Sequence, residues 1–271
     1  MSKTIHFVAG LPRSGSTLLC NILNQNPEFT ATATSGILDI ILAIRNQWEN
    51  VNTFQAAPNK TGKDDVVRGI LYNYYSRTPE QIIFDKSRGW PAYLELAEFI
   101  LGKRAKMLVP VRDITDVLAS FEMLYRKNAH NWQFPQEKTN FAEFQTVEGR
   151  ASIFMKNDQP VGIAYNRIRD ALARGYANRM HFVEFEELTS QPEQAMEKVY
   201  EFLEHDEYHH NFDNVKQTTS ENDDVHGIPG LHTIRSKVTS VPKIAKQVLG
   251  EDTFKKYSNA EFWRGGGGSI T

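Results

Sequence analysis

The sequence predicts an α/β fold, a central parallel β-sheet flanked by helices on both faces, and three observations carry that expectation. Short β-rich runs alternate with longer helical patterns, the arrangement that builds βαβ units. The β-rich runs are apolar almost throughout, as strands are when both faces of a sheet are covered. The chain of 271 residues is long enough for a substantial core. The division expected is a single domain over 1–264 and a flexible glycine-rich tail over 265–271.

The elements follow in order. Strands are expected at Thr4–Ala9, Gln81–Phe84, Lys106–Val111 and Met180–Phe185. Helices are expected near Ser16–Gln25, Pro91–Leu101, Ile114–Arg126, Val161–Tyr176 and Pro192–Leu203. Three stretches break the rhythm and read as loops. Asn52–Asp65 is polar and carries Pro58 and Gly62; His205–Lys237 is rich in His, Asp and Asn. Asn128–Glu148 mixes polar residues with Trp132, Phe134, Phe141 and Phe144, which fit either the lining of an acceptor pocket or a satellite core under a long loop.

The totals exclude several classes of partner. A net charge of −2, with 40% hydrophobic and 24% charged residues, gives no general attraction to nucleic acid or anionic membranes. An anion site therefore has to be built locally. Cys20 is the one cysteine, which rules out an internal disulfide and fits a reducing compartment. The apolar run after Met1-Ser2-Lys3-Thr4 is too short for a signal-peptide core, and no run reaches membrane-spanning length. A cytoplasmic location is the expectation.

Such a local anion site is legible after the first strand. Gly10-Leu11-Pro12-Arg13-Ser14-Gly15-Ser16-Thr17 leads into the helical run Leu18–Leu23. A helix N-terminus presents free N–H groups and the positive end of its dipole to a bound anion. The spacing matches the start of a nucleotide-triphosphate loop, but Ser16 stands where that class carries lysine. The cation here is Arg13, whose fork suits two oxygens of a phosphate or sulfonate. The plainer reading of the same turn has Ser14 or Ser16 as a helix N-cap. A second basic position, Arg112, closes the strand Lys106–Val111, where ligands of parallel sheets bind, and Ser120 follows two helical turns on. His209-His210 lacks the spacing that puts two metal ligands on one helix face and reads as loop.

Taken together, these segments resemble the sulfotransferase family. Leu11–Thr17 resembles its 5′-phosphosulfate loop, nearest the tyrosylprotein and bacterial-type branch with an arginine in the loop. Val111-Arg112-Asp113 with Ser120 resembles its 3′-phosphate motif; Phe84-Asp85-Lys86-Ser87 and Phe185-Glu186-Glu187-Leu188 with Pro192 resemble two further segments, in family order. The resemblance implies a fold like that of P-loop kinases and transfer of a sulfonate from 3′-phosphoadenosine 5′-phosphosulfate to an acceptor hydroxyl, leaving 3′,5′-adenosine bisphosphate. It assigns Arg13, Ser14, Gly15, Ser16 and Thr17 to the phosphosulfate, Arg112 and Ser120 to the 3′-phosphate, and Phe185 to the adenine. Ile234-Arg235-Ser236-Lys237 resembles the late basic loop that closes over the nucleotide. Arg13 and Lys86 would stabilise charge on the sulfonate and the departing phosphate, with no metal required.

One departure concerns the base that takes the acceptor's proton. The tyrosylprotein branch carries a glutamate about twenty residues after the loop arginine, where this chain reads Ala33-Thr34-Ser35-Gly36. Asp39 is the nearest carboxylate; His130 and His232 are alternatives on loops, and Asp39 also fits a first-turn helix charge. Two other readings stand beside the transferase: a small-molecule or nucleotide kinase, and a nucleotide-binding module without catalysis. The identity of the acceptor and the oligomeric state leave no signature in the sequence.

Overall fold

The computed structural model describes residues 3–130 and 133–265. Trp132 and the tail beyond Gly265 lie outside them. Five strands form one parallel sheet: β1 (Thr4–Val8), β2 (Phe29–Ala31), β3 (Ile82–Lys86), β4 (Met107–Val111) and β5 (Met180–Glu184). Their order is β2-β3-β1-β4-β5. From β1 the chain goes to the β2 edge, returns through β3 beside β1, and then crosses to β4 and β5 on the other side, so the order reverses between β1 and β4. Crevices beyond the strand ends at such a reversal are where α/β sheets bind ligands.

Alternation along β1 divides the core. Ile5, Phe7 and Ala9 enter one cluster with Trp90, Leu94 and Phe121. Val8 enters the other, with Leu19, Phe84, Leu108 and Val199. Both sheet faces are thus buried beneath helices, as the apolar runs require.

Parts of the sequence reading need correction: the stretches read as loops hold short helices, Pro135–Thr139 and Phe141–Phe144 within 128–148 and Asp223–His226 within 205–237. The strand β2 is only three residues long, too short to show a period. A side chain secures it: Asn24 Oδ1 accepts from Ala31 N at 2.6 Å, and Asn24 Nδ2 donates to Ala31 O at 3.1 Å. The segment Asn52–Asp65 holds a short helix, Asn52–Ala56, and the start of a long one, Lys60–Tyr74. The Asn59 carboxamide caps the second by accepting from Gly62 N, and Val67 and Leu71 bury one stripe of it. Gly62 and a mostly polar first turn hide this helix from a periodicity argument.

The aromatic stretch divides between core and surface. Phe134 and Phe144 are fully buried in the larger cluster, whereas Phe141 is exposed. Below them Glu122 accepts from Arg150 Nε at 2.7 Å and Nη2 at 2.9 Å, both residues buried. This bidentate pair fixes the helix Ile114–Asn128, which carries Ser120 on the cavity side.

Gly10 is where β1 and β4 come closest at the crevice. A Cβ there would lie 2.0 Å from the Pro110 carbonyl oxygen. Gly10→Ala must separate the two strand ends, and a loss on the order of 1–3 kcal/mol is expected, the usual cost of overpacking. Chemical denaturation of the variant would measure it, and a stability unchanged from the parent would refute that close approach.

Candidate functional site

The loop after β1 takes two left-handed residues, Arg13 at φ 60° and Gly15 at φ 81°. The helix Ser16–Leu23 follows at once, with Gly15 as its N-cap and no side-chain cap. Neither Ser14 nor Ser16 caps it by its side chain, so the N–H groups of the first turn are left for another acceptor. Ser14 itself turns inward. Its buried hydroxyl lies 2.6 Å from Leu11 O and 2.8 Å from Pro110 O, donating to one at a time and pinning the loop to β4.

Arg112 leaves the end of β4 and is largely buried, with its guanidinium 4.5 Å above the Phe185 ring. The same ring lies against Gly15, where a Cβ would come within 2.6 Å of it. Gly15 is therefore needed twice, for its positive φ and for the closeness of Phe185. Arg112 Nε sits 3.7 Å from Glu186 Oε1, too far for a hydrogen bond, and this buried nitrogen has no hydrogen-bond partner. Burial lowers the Arg112 pKa, opposed by Asp116, Glu186 and Asp113. Those three carboxylates lie within 4.8 Å of one another. Lys243 at 3.1 Å and Arg264 at 2.7 Å engage Asp113, and these hydrogen bonds hold its pKa down although burial pushes it up.

Arg13 joins the two candidate anion sites. Its Nε donates to Ser120 Oγ at 3.1 Å, and its Nη1 donates to Leu231 O. Burial brings its pKa down to about 10, with Arg112 and Arg88 adding to the effect and Asp223 opposing it. A guanidinium so placed remains charged at neutral pH, among other cations and largely out of water. That is a costly arrangement which an incoming anion relieves.

The cavity between these walls measures about 600 Å³. Of the residues expected from the sequence, Arg13, Gly15, Ser16, Thr17, Arg112, Ser120, Phe185, Arg235 and Lys237 line it. Ser14, Lys86 and Ser236 do not; the Ser236 carbonyl instead accepts from Val215 N at 2.6 Å. Asp39 lies exposed in the first turn of the helix Ile37–Trp48 and His130 is exposed, and neither lines the cavity. Met123, Leu124, Val241 and Ile244 give the cavity an apolar side.

Lys86 ends β3 buried, and its partner comes from far along the chain. Its Nζ pairs with Glu221 Oε1 at 3.1 Å, both side chains almost wholly buried. Glu221 Oε2 lies 3.2 Å from His232 Nε2, and His232 Nδ1 lies 2.6 Å from Asp223 Oδ1. A chain of alternating charge thus runs Lys86–Glu221–His232–Asp223, and His232 is its member at the cavity wall. Burial lowers the His232 pKa; Asp223 and Glu221 pull it up and Lys86 pulls it down. Arg88, two residues after Lys86, also lines the cavity. Sequence gave one faint signal for Arg88, its place at a strand end; Glu221 and Asp223 sit in a polar loop without period or motif.

The model of the sulfotransferase family matches residues 6–209 of this chain. Among solved structures, the chain is similar to the sulfotransferase domain of the Synechococcus PCC 7002 olefin synthase. Identity is 19%, coverage 97% of this chain and 96% of that one, and the TM-score 0.53. The sulfotransferase domain from the curacin biosynthetic pathway matches at 16% identity over 97% and 91% of the chains, with a TM-score of 0.50. Retinol dehydratase, solved with androsterone and the inactive cofactor PAP, matches at 17% identity over 98% and 80%, also at 0.50. No curated protein matches the chain.

Proposed function

The chain belongs to the sulfotransferase family, and on that premise we propose that it moves a sulfonate from 3′-phosphoadenosine 5′-phosphosulfate to an acceptor hydroxyl. The observation that carries this reading is the pair of basic positions at the sheet reversal, Arg13 beside the uncapped helix start and Arg112 at the end of β4. The buried Arg112 Nε without a hydrogen-bond partner fits a ligand oxygen that would complete it. A donor with phosphate at both ends of its ribose needs two such sites a few ångströms apart, and Arg13 already reaches from one to the other.

In this reading the Gly15–Thr17 N–H groups and Arg13 hold the phosphosulfate, while Arg112 and Ser120 hold the 3′-phosphate. Phe185 bears on the adenine, and Arg235 and Lys237 close the mouth. The acceptor oxygen attacks sulfur and the sulfur–oxygen bond to the 5′-phosphate breaks, its electron pair leaving on the phosphate. Arg13 and Lys86 oppose the charge that gathers there. The hydroxyl proton is assigned to His232, the cavity-lining histidine: Asp223 holds its Nδ1, and its Nε2, which takes the proton, exchanges its 3.2 Å contact with Glu221 Oε2 for the acceptor oxygen. Asp39, exposed and away from the cavity lining, is not assigned that part. The apolar side of the cavity suits an acceptor alcohol with a hydrocarbon body.

Calorimetry with 3′,5′-adenosine bisphosphate, beside ATP with magnesium, tests the donor site. Tight binding of the bisphosphate and weak binding of ATP-magnesium are expected. The reverse order would favour a kinase, in keeping with the triphosphate-loop spacing.

A further inference from the structure

The turn after β3 carries a cation to which the proposed reaction gives no task. Arg88 lines the cavity, partly buried, two residues beyond the end of the strand. Among the described residues its guanidinium makes no hydrogen bond and no salt bridge. Burial lowers its pKa, opposed by the charge of Glu221. Lys86, by contrast, is sealed against Glu221 and does not line the cavity, so Arg88 is the cation at this strand end with access to a ligand. A charged group drawn partly out of water without a hydrogen-bond partner is costly, and an anion in the cavity would complete it.

The turn itself is well anchored. Ser87 N donates to Val8 O at 3.1 Å, which fastens it to β1. Trp90 is fully buried with its ring 4.3 Å from that of Phe7, and its indole N–H donates to Asp85 Oδ1 at 2.6 Å. The Arg88 carbonyl accepts from Arg167 Nη1 at 3.4 Å. Arg88 is therefore set at the cavity by residues on both sides of it in the chain.

Sheet order then suggests what it holds. β3, β1 and β4 are neighbours, and each is followed by an arginine that lines the cavity: Arg88, Arg13 and Arg112. Arg112 and Arg88 both lower the Arg13 pKa, so the three charges act on one space. β3 and β4 flank β1 on opposite sides, so the turn carrying Arg88 stands across the phosphate loop from Arg112 and the 3′-phosphate assigned to it. The donor carries three anionic groups, the 3′-phosphate, the 5′-phosphate and, beyond the latter, the sulfonate. We propose that Arg88 holds the transferable sulfonate, as the third cation of the donor site. This rests on the sulfotransferase reading above. The planar fork of Arg88 would engage two sulfonate oxygens and keep sulfur in line between the acceptor oxygen that bonds to it and the phosphate oxygen that leaves with the electron pair. After transfer the sulfonate departs on the acceptor, and the bisphosphate left behind offers Arg88 nothing to hold.

That difference gives a test which needs no acceptor. Calorimetry compares the intact donor, 3′-phosphoadenosine 5′-phosphosulfate, with 3′,5′-adenosine bisphosphate on wild type, Arg88→Met and Arg88→Lys. Arg88→Met is expected to bind bisphosphate within about threefold of wild type and the intact donor at least about tenfold more weakly, the loss that goes with a charge-assisted hydrogen bond. Arg88→Lys should recover part of the donor affinity, since it restores charge without the fork. Bisphosphate binding also shows that each variant is folded, and if Arg88→Met does not fold, Arg88→Lys carries the same comparison. Equal weakening of both ligands would make Arg88 a phosphate ligand, and unchanged donor affinity would leave it to an anion on the acceptor; either result overturns the assignment. Failure of wild type to bind bisphosphate would instead overturn the sulfotransferase reading beneath it.

Discussion

Arg13→Ala is expected to lower turnover by about 10²–10³-fold at saturating donor, the loss that follows removal of one preorganised donor group aimed at developing charge. The left-handed backbone at Arg13 and its burial hold the guanidinium in place before any ligand arrives. Its Nε and Nη1 now rest on Ser120 Oγ and Leu231 O, both neutral acceptors. Exchanging them for charged oxygens gains more as negative charge grows toward the transition state. Initial rates with saturating donor isolate this effect. A fall in donor affinity with turnover unchanged would make Arg13 a binding group only. Arg13→Lys should recover part of the loss, since it restores charge without the planar fork.

Arg112→Ala is expected to cost about 2–5 kcal/mol of bisphosphate affinity, the range found when one side of a buried charge pair is truncated. Two effects add. On the proposed assignment the 3′-phosphate loses its guanidinium, and the Asp113, Asp116 and Glu186 carboxylates, clustered within 4.8 Å, are no longer offset by Arg112. Burial already raises the Asp116 and Glu186 pKa values, and Arg112 is among the groups holding them down. Without it, both carboxyls should take protons at higher pH, so bisphosphate binding by the variant should weaken further as pH rises. Calorimetry at several pH values would show this; a variant binding as tightly as wild type would remove Arg112 from the donor site.

Much of the proposed donor site was legible because its parts are local. The turn Gly10–Gly15, the uncapped helix start and Arg13 occupy a few consecutive residues, and Arg112 stands at the end of a recognisable strand. The resemblance to a family supplied the pairing of these segments and the interest of Ser120 and Phe185. Ser14 illustrates the limit of a motif. Its place in the loop assigns it to the ligand, yet its hydroxyl bonds inward to Leu11 and Pro110. Asp39 illustrates another: proximity in sequence selected it, and the helix Ile37–Trp48 turns it to solvent.

The sequence by itself determined the α/β class, four of the five strands and the candidate anion-binding segments, because period, apolarity and turn chemistry act between near neighbours. Tertiary structure decided how strands separated by many residues order themselves, and hence that the loops after β1 and β4 share one crevice. It also decided that Glu221, 135 residues beyond Lys86, closes on that lysine, and that His232 stands at the cavity wall between Glu221 and Asp223. A buried ion pair of this kind is selected by desolvation and by the packing of the whole loop, and neither leaves a periodic trace in the residues that form it.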